Sequence, residues 1–456
     1  LRFDRIKGNK TQLLVNRDSD WQPLIDIDPS DTFYVLEVSP SAEFALAISA
    51  RGRNTAALVR LDLTDGSEQV LHEQADEDLA EIINFDLYDG KIDMVIPQVG
   101  DVTPLGFTKA GKKLAKLIAK QGQNMSIDRL LWAGNGDFVT ATLSVDAQSY
   151  SYHIFDLNLG TDTKISDFYF KTKHTDALVP TEIVQITARD GMKLNALLLR
   201  PKGVDGAAPM VLEVHGGPAR QVKWEYHHFR QFLVNRGYAV LAVNFRGSSG
   251  LGKIYQAAGY GEYGRKMQDD LVDATLWAID QGIADPNAIA INGSSYGGYA
   301  SAMGLVCDPD LFKAGIIEHA MLDVAYQSQY PPHSWGLYLG QWERYFGDIN
   351  SPGDMEKMHQ RSPINLVAQM QAAALMVAGK RDPVVGFEQT ERFITKAKDL
   401  GKNIDSLIFE NEGHGIDKWQ SKIRHARRVE DFLVEHLGGR SGNWDWIEPI
   451  AAYLDK

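Results

Sequence analysis

From Met210 onward the chain passes through six short apolar stretches, each separated from the next by helical or loop sequence, and this alternation is the tightest constraint on its fold. The stretches are Met210 to Val214, Ala239 to Asn244, Ala288 to Ile291, Ala314 to Ile317, Ala373 to Ala378 and Ser406 to Glu410. Apolar runs that lack a polar alternate face suit strands buried on both sides, as in a parallel sheet covered by helices. Between them, Met267 to Asp280 sets Met267, Leu271, Ala274 and Ala278 on one helical face. Ahead of them, Ile183 to Thr187 and Leu194 to Leu199 flank the turn Asp190-Gly191 and read as an entry hairpin. The expectation for residues 183–456 is an α/β domain on a doubly wound, mostly parallel sheet.

Residues 1–182 carry a different rhythm. Phe33 to Val38, Ala45 to Ser49 and Ala57 to Leu63 alternate like strands and lead to the turn Thr64-Asp65-Gly66. The cadence returns over Asn84 to Leu105 and again from Leu130 to Leu157, with little helical periodicity. A spacing of about 45 residues fits four-stranded propeller blades, with a generic β-sandwich as the alternative. Because a closed propeller usually has at least about four blades, a partial or truncated propeller is expected.

At 456 residues, the chain exceeds what one core normally serves, in keeping with two domains. The formal net charge of −13 works against nucleic-acid binding, which clustered cations drive. No apolar run reaches the length of a membrane span, so a soluble protein of the cytoplasm or periplasm is expected, with no membrane partner. The single cysteine, Cys307, excludes an internal disulfide and lies in an apolar stretch, where a buried thiol is expected. The chain starts at Leu1 without an initiator Met or a signal-peptide pattern, as a processed or truncated piece would.

Gly293-Ser294-Ser295-Tyr296-Gly297-Gly298 fits the G-x-S-x-G pattern between a strand and a helix. A sharp turn there exposes the central hydroxyl at a helix N-terminus, and the glycines admit close passage of neighbouring chain. Serine is a weak nucleophile until a base takes its proton, and in this fold the base follows an acid later in the chain. His414, in Glu412-Gly413-His414-Gly415, comes directly after the last strand; His319, His333, His359, His425 and His436 are assigned surface or core roles. Asp382 follows the strand Ala373 to Ala378 and is expected to fix the tautomer of His414. His215-Gly216-Gly217-Pro218 follows another strand, so the backbone N–H groups of Gly217 and Tyr296 are the expected oxyanion donors. There is no H-E-x-x-H, phosphate loop or dinucleotide fingerprint, and His227-His228 lacks accompanying carboxylates, so neither metal nor cofactor is expected.

Together with Asn244-Phe245-Arg246-Gly247-Ser248-Ser249-Gly250, Asp285-Pro286-Asn287 and Glu343-Arg344-Tyr345-Phe346-Gly347, these motifs resemble the prolyl oligopeptidase family of serine peptidases over roughly Ile183 to Leu437. The likeness is to its acylaminoacyl-peptidase and dipeptidyl-peptidase-like branches. It implies an α/β-hydrolase domain behind a β-propeller, and short peptide substrates cleaved through an acyl-enzyme. Homo-oligomer formation is left open. Many relatives carry Arg two residues after the acid, where this chain has Val384, and often Pro where it has Gly386. Tyr330, Trp335, Tyr338 and Trp342 are candidates for an apolar substrate pocket, or equally for the core of an inserted helical segment. The competing functional readings are a carboxylesterase using the same triad and an inactive hydrolase fold serving as a binding scaffold.

Overall fold

The computed structural model describes residues 1–6, 10–83, 93–97, 104–121, 125–133, 137–145, 148–167, 175–335, 339–442 and 446–454. They form two compact units. One comprises Leu1–Pro180 with Lys223–His227 and Ser249–Ala257; the other comprises Thr181–Val222, His228–Ser248 and Ala258–Lys456.

The first unit is built from antiparallel meanders. Its described strands form sheets of three, four, three and four strands in chain order. The second, third and fourth sheets begin at Phe33, Leu79 and Met125, so the blade-length spacing read from the sequence is present. Each sheet shares a core with the next: Leu13, Ile25 and Ile27 pack with Ala45 and Leu61, and Ile48 and Leu58 pack with Leu79 and Val95. Serial packing of meanders through their inner faces is propeller-blade construction. Within the expected strands over Asn84 to Leu105, residues 84–92 and 98–103 lie outside the described residues; Met94–Pro97 and Leu105–Gly106 are strands.

Among the described residues, the low helical content expected of this half is broken by one α-helix, Lys109–Ala119. Its four lysines mask a narrow apolar stripe in which Leu114, Leu117 and Ile118 are buried beneath Ile127 and Val139. Thr108 caps it, its hydroxyl accepting from the Gly111 N–H.

The second unit is an α/β-hydrolase fold. Its strands are Thr181–Thr187 (β1), Lys193–Leu199 (β2), Ala208–Val214 (β3), Ala239–Asn244 (β4), Ala284–Ser294 (β5), Ala314–Glu318 (β6), Ala373–Gly379 (β7) and Ile404–Phe409 (β8). They lie in the order β1-β2-β4-β3-β5-β6-β7-β8. The pairs β1/β2 and β2/β4 are antiparallel and every other pair is parallel. The principal helices are His228–Asn235 (α1), Lys266–Asp280 (α2), Tyr296–Cys307 (α3), Phe387–Asp399 (α4) and Trp419–Leu437 (α5).

Five of the six sequence stretches fall within strands and the sixth, Ser406 to Glu410, runs one residue past the end of β8; their composition explains why. Every residue of β4, β6 and β7 is buried, so apolar side chains are required on both faces. Helix α3 is apolar on all sides and buried throughout except for its last residue. That residue is Cys307, which is exposed rather than buried as expected, because the helix leaves the core there. Among the described residues, no helix is long and apolar enough to cross a membrane.

Candidate active site

Parallel strands all end on one side of the sheet, so the loops that follow β3, β5, β6, β7 and β8 converge there. Ser295 caps α3 directly after β5 and has φ +60° and ψ −118°. An L-residue with positive φ is strained by about 1–3 kcal/mol and persists only when its surroundings impose it. Here the surroundings are close backbones. A β-carbon at Gly293 would fall on Gly297, one at Gly297 would overlap the Val214 carbonyl, and one at Gly298 would overlap the Glu318 carbonyl. The Ser295 N–H donates to the Glu318 carbonyl at 2.9 Å, tying the turn to the end of β6.

The remaining strand-end loops bring the expected partners to the hydroxyl. His414 Nε2 is 3.0 Å from Ser295 Oγ, and His414 Nδ1 is 2.7 Å from Asp382 Oδ2. Asp382 Oδ1 accepts from the N–H groups of Val384 and Val385 at 2.8 and 2.9 Å, which fixes the carboxylate from behind. The carboxylate is 3% exposed and the imidazole 22%, leaving only the reactive end of the line open. The loops bearing Asp382 and His414 are joined directly: the N–H of Arg381 donates to the Glu412 carbonyl at 3.0 Å, and Gly379 leaves room for that passage. Glu412 then folds its carboxylate onto the N–H groups of Asp417 and Lys418 at 3.3 and 3.1 Å. Burial opposes ionisation of this carboxylate, but the backbone donors and the Lys418 charge favour it, and its pKa lies below the usual range.

The loop after β3 passes against the turn. A β-carbon on Gly216 would stand 3.4 Å from Ser295 Cβ, and Gly217 has φ +124°, a conformation open to glycine. His215 braces this loop: its Nδ1–H donates to the Gly216 carbonyl at 2.7 Å, Nε2 lies 2.9 Å from Ser248 Oγ, and the ring stacks on Phe245 with centroids 4.3 Å apart. Burial lowers the His215 pKa to about 4, so the ring is neutral near neutral pH. The loop after β4 is anchored by the buried Arg246, which donates to Asp270 Oδ2 at 2.9 Å and Asp190 Oδ2 at 2.7 Å. Its neighbour Gly247 accepts from the Tyr345 hydroxyl at 2.9 Å, which links two of the sequence motifs.

The four aromatic candidates do not form one group. Tyr330 is 66% exposed, whereas Trp335 is buried and stacks on Trp342 with centroids 4.8 Å apart. Tyr338 lies outside the described residues. Two further histidines are closer to the site than their assigned surface or core roles imply. His425 Nε2 pairs with buried Glu318 at 3.2 Å, and His319 Nδ1 stands 3.7 Å from Asp382 Oδ2. For His319 the signal was available, since it too follows a strand, β6. Among the described residues, no group of three or more His, Cys, Asp or Glu is placed to hold a metal ion.

The model of the prolyl oligopeptidase family matches residues 224–440. Over 96% of its length, the chain is 31% identical to dipeptidyl aminopeptidase BIII of Pseudoxanthomonas mexicana, 64% of which is covered. Among solved structures, a puromycin-hydrolyzing peptidase of Mycobacterium tuberculosis superposes with a TM-score of 0.80 at 21% identity, covering 97% of this chain and 68% of that one. An acylaminoacyl peptidase of Pyrococcus horikoshii gives a TM-score of 0.73 at 18% identity, covering 98% and 70% respectively. The chain thus spans about two thirds of the length of these relatives.

Proposed function

Since this chain belongs, through residues 224–440, to the prolyl oligopeptidase family, we propose that it is a serine peptidase that cleaves short peptides through an acyl-enzyme. The observation that carries this reading is the unbroken line from Ser295 Oγ through His414 to Asp382, with spacings of 3.0 and 2.7 Å. Ser295 Oγ attacks the scissile carbonyl carbon while His414 Nε2 takes its proton. Asp382 holds the Nδ1–H tautomer and stabilises the imidazolium that forms. The backbone N–H groups of Gly217 and Tyr296 receive the oxyanion. His414 then passes its proton to the leaving amine nitrogen, and the acyl group stays on Ser295. In the second half, His414 removes a proton from water, the hydroxide adds to the ester carbonyl, and as the intermediate collapses the C–Oγ bond breaks, His414 returns its proton to Ser295 Oγ and the peptide acid is freed.

The names of the relatives support a peptide substrate: one is a dipeptidyl aminopeptidase, another a puromycin-hydrolyzing peptidase. Val384 stands where many relatives place an arginine, so substrate anchoring differs here, and exposed Tyr330 is the aromatic candidate available to touch a peptide. Matched substrates that differ only in an anilide or a p-nitrophenyl ester test the reading. Turnover of both is expected, with the amide within about a hundredfold of the ester. Turnover of the ester alone would assign the protein to the carboxylesterases.

A further inference from the structure

One buried ionisable side chain beside the triad has no part in the chemistry above. His319 follows Glu318 at the carboxyl end of β6, and its backbone N–H donates to the Val377 carbonyl of β7 at 2.9 Å. It has φ +45°, a left-handed conformation uncommon for a residue with a β-carbon. Its side chain is 1% exposed, and neither ring nitrogen makes a hydrogen bond. The strained backbone and the two unsatisfied nitrogens both work against the folded state. An apolar side chain would avoid the second cost, so packing alone does not account for an imidazole.

Its surroundings point to a role. Nδ1 stands 3.7 Å from Asp382 Oδ2, the same oxygen that accepts from His414 Nδ1, and the two rings meet edge to face with centroids 5.8 Å apart. A shift of under about 1 Å would bring Nδ1 within hydrogen-bond distance of the carboxylate. Resting on the reading of Ser295, His414 and Asp382 as a working triad, we propose that His319 is a positioning residue whose Nδ1–H closes on Asp382 Oδ2 as His414 becomes charged. The carboxylate then keeps its aim while the imidazolium delivers its proton to the leaving nitrogen. The same donor withdraws part of the negative charge that His414 experiences, limiting how strongly the imidazolium is held.

The charged and titratable groups facing His319 are Glu318, Asp382, His414 and His425. Burial lowers the His319 pKa from its ordinary value, more than the two carboxylates raise it, so the ring is neutral and has a single N–H to give. Glu318 is occupied elsewhere. Burial opposes its ionisation, but the charge and hydrogen bond of His425 outweigh this and hold it below the usual carboxylate range.

Two substitutions test the proposal. His319→Leu removes the donor, whereas His319→Asn places an amide nitrogen where Nδ1 stood. With a peptide substrate, His319→Leu is expected to lower kcat about tenfold, the effect of losing a hydrogen bond to a charged group, while KM stays within about twofold. The acid limb of the kcat/KM profile is expected to move up by about half a pH unit, because a less neutralised Asp382 stabilises the imidazolium more. His319→Asn is expected to restore both values. Folded variants that share the wild-type kcat and pH profile, or a folded His319→Asn that rescues nothing, would reduce His319 to packing. Should His319→Leu not fold, His319→Gln replaces it; its amide lies at the position of Nε2 and is expected to fall short of His319→Asn by about tenfold. Fluorophosphonate labelling separates the two hypotheses. A wild type that labels at Ser295 while His319 variants change nothing overturns only this proposal, whereas labelling that survives Ser295→Ala removes the triad and the proposal with it.

Discussion

Replacing Ser295 by alanine is expected to abolish covalent labelling by a fluorophosphonate and to lower peptide hydrolysis by roughly 10⁶-fold, the loss seen when a triad nucleophile is removed. The physical reason is that the other parts cannot act without it. His414 Nε2, 3.0 Å from the missing oxygen, has no hydroxyl proton to take, and the proposed oxyanion donors of Gly217 and Tyr296 have no tetrahedral centre to stabilise. A residual rate from substrate binding and the oxyanion donors is expected to remain above that of water. Mass spectrometry of the labelled protein and single-turnover kinetics with an anilide peptide measure the two effects. Unchanged labelling of Ser295→Ala would place the nucleophile elsewhere.

Asp382→Asn is expected to cost about 10⁴-fold in kcat while leaving the fold intact. The direction follows from how the carboxylate is held. Its Oδ1 accepts from the Val384 and Val385 N–H groups, so the carbonyl oxygen of an asparagine is pinned on that side. The amide NH₂ must then face His414 Nδ1, where Oδ2 now accepts at 2.7 Å. Nδ1 is forced to accept, the imidazole proton moves to Nε2, and Nε2 loses the lone pair needed to take the proton of Ser295. Steady-state kinetics give the size of the loss, and denaturant melts check that the backbone bonds of the loop survive. A loss under about tenfold would mean that Asp382 does not set the tautomer.

The grouping of Ser295, Asp382 and His414 at one edge of the sheet was legible in the sequence for a structural reason. In a parallel sheet each strand end points to the same side, so a residue directly after an apolar run is placed there without further information. Ser295, Asp382 and His414 each follow such a run, and glycines mark two of the three loops as sites of close approach. His319 has the same placement after Ala314 to Glu318; it is buried, as a core role predicts, but its place beside Asp382 does not follow from that role. No neighbouring glycine marks it, and its nearness to Asp382 depends on its positive φ, which the residue type does not announce.

The aromatic segment was harder to read because period and composition do not separate a pocket lining from a core. Trp335 turned inward onto Trp342 and Tyr330 outward, although all three look alike in sequence. In the first half, strand alternation identified the meanders. The helix Lys109–Ala119 was hidden because its buried stripe is only three side chains wide among lysines.

The backbone at Ser295 bears on heat resistance. At φ +60° and ψ −118° it occupies a region that glycine enters freely and serine does not, so the polypeptide carries its proposed nucleophile at a standing thermodynamic disadvantage. Ser295→Gly is therefore expected to melt at or above the wild-type temperature, by as much as about 1 kcal/mol of added stability, while being inert toward the probe. A screen that rewarded survival at high temperature alone would drift toward that glycine, so any search for a hardier variant of this protein must select for turnover at the same time.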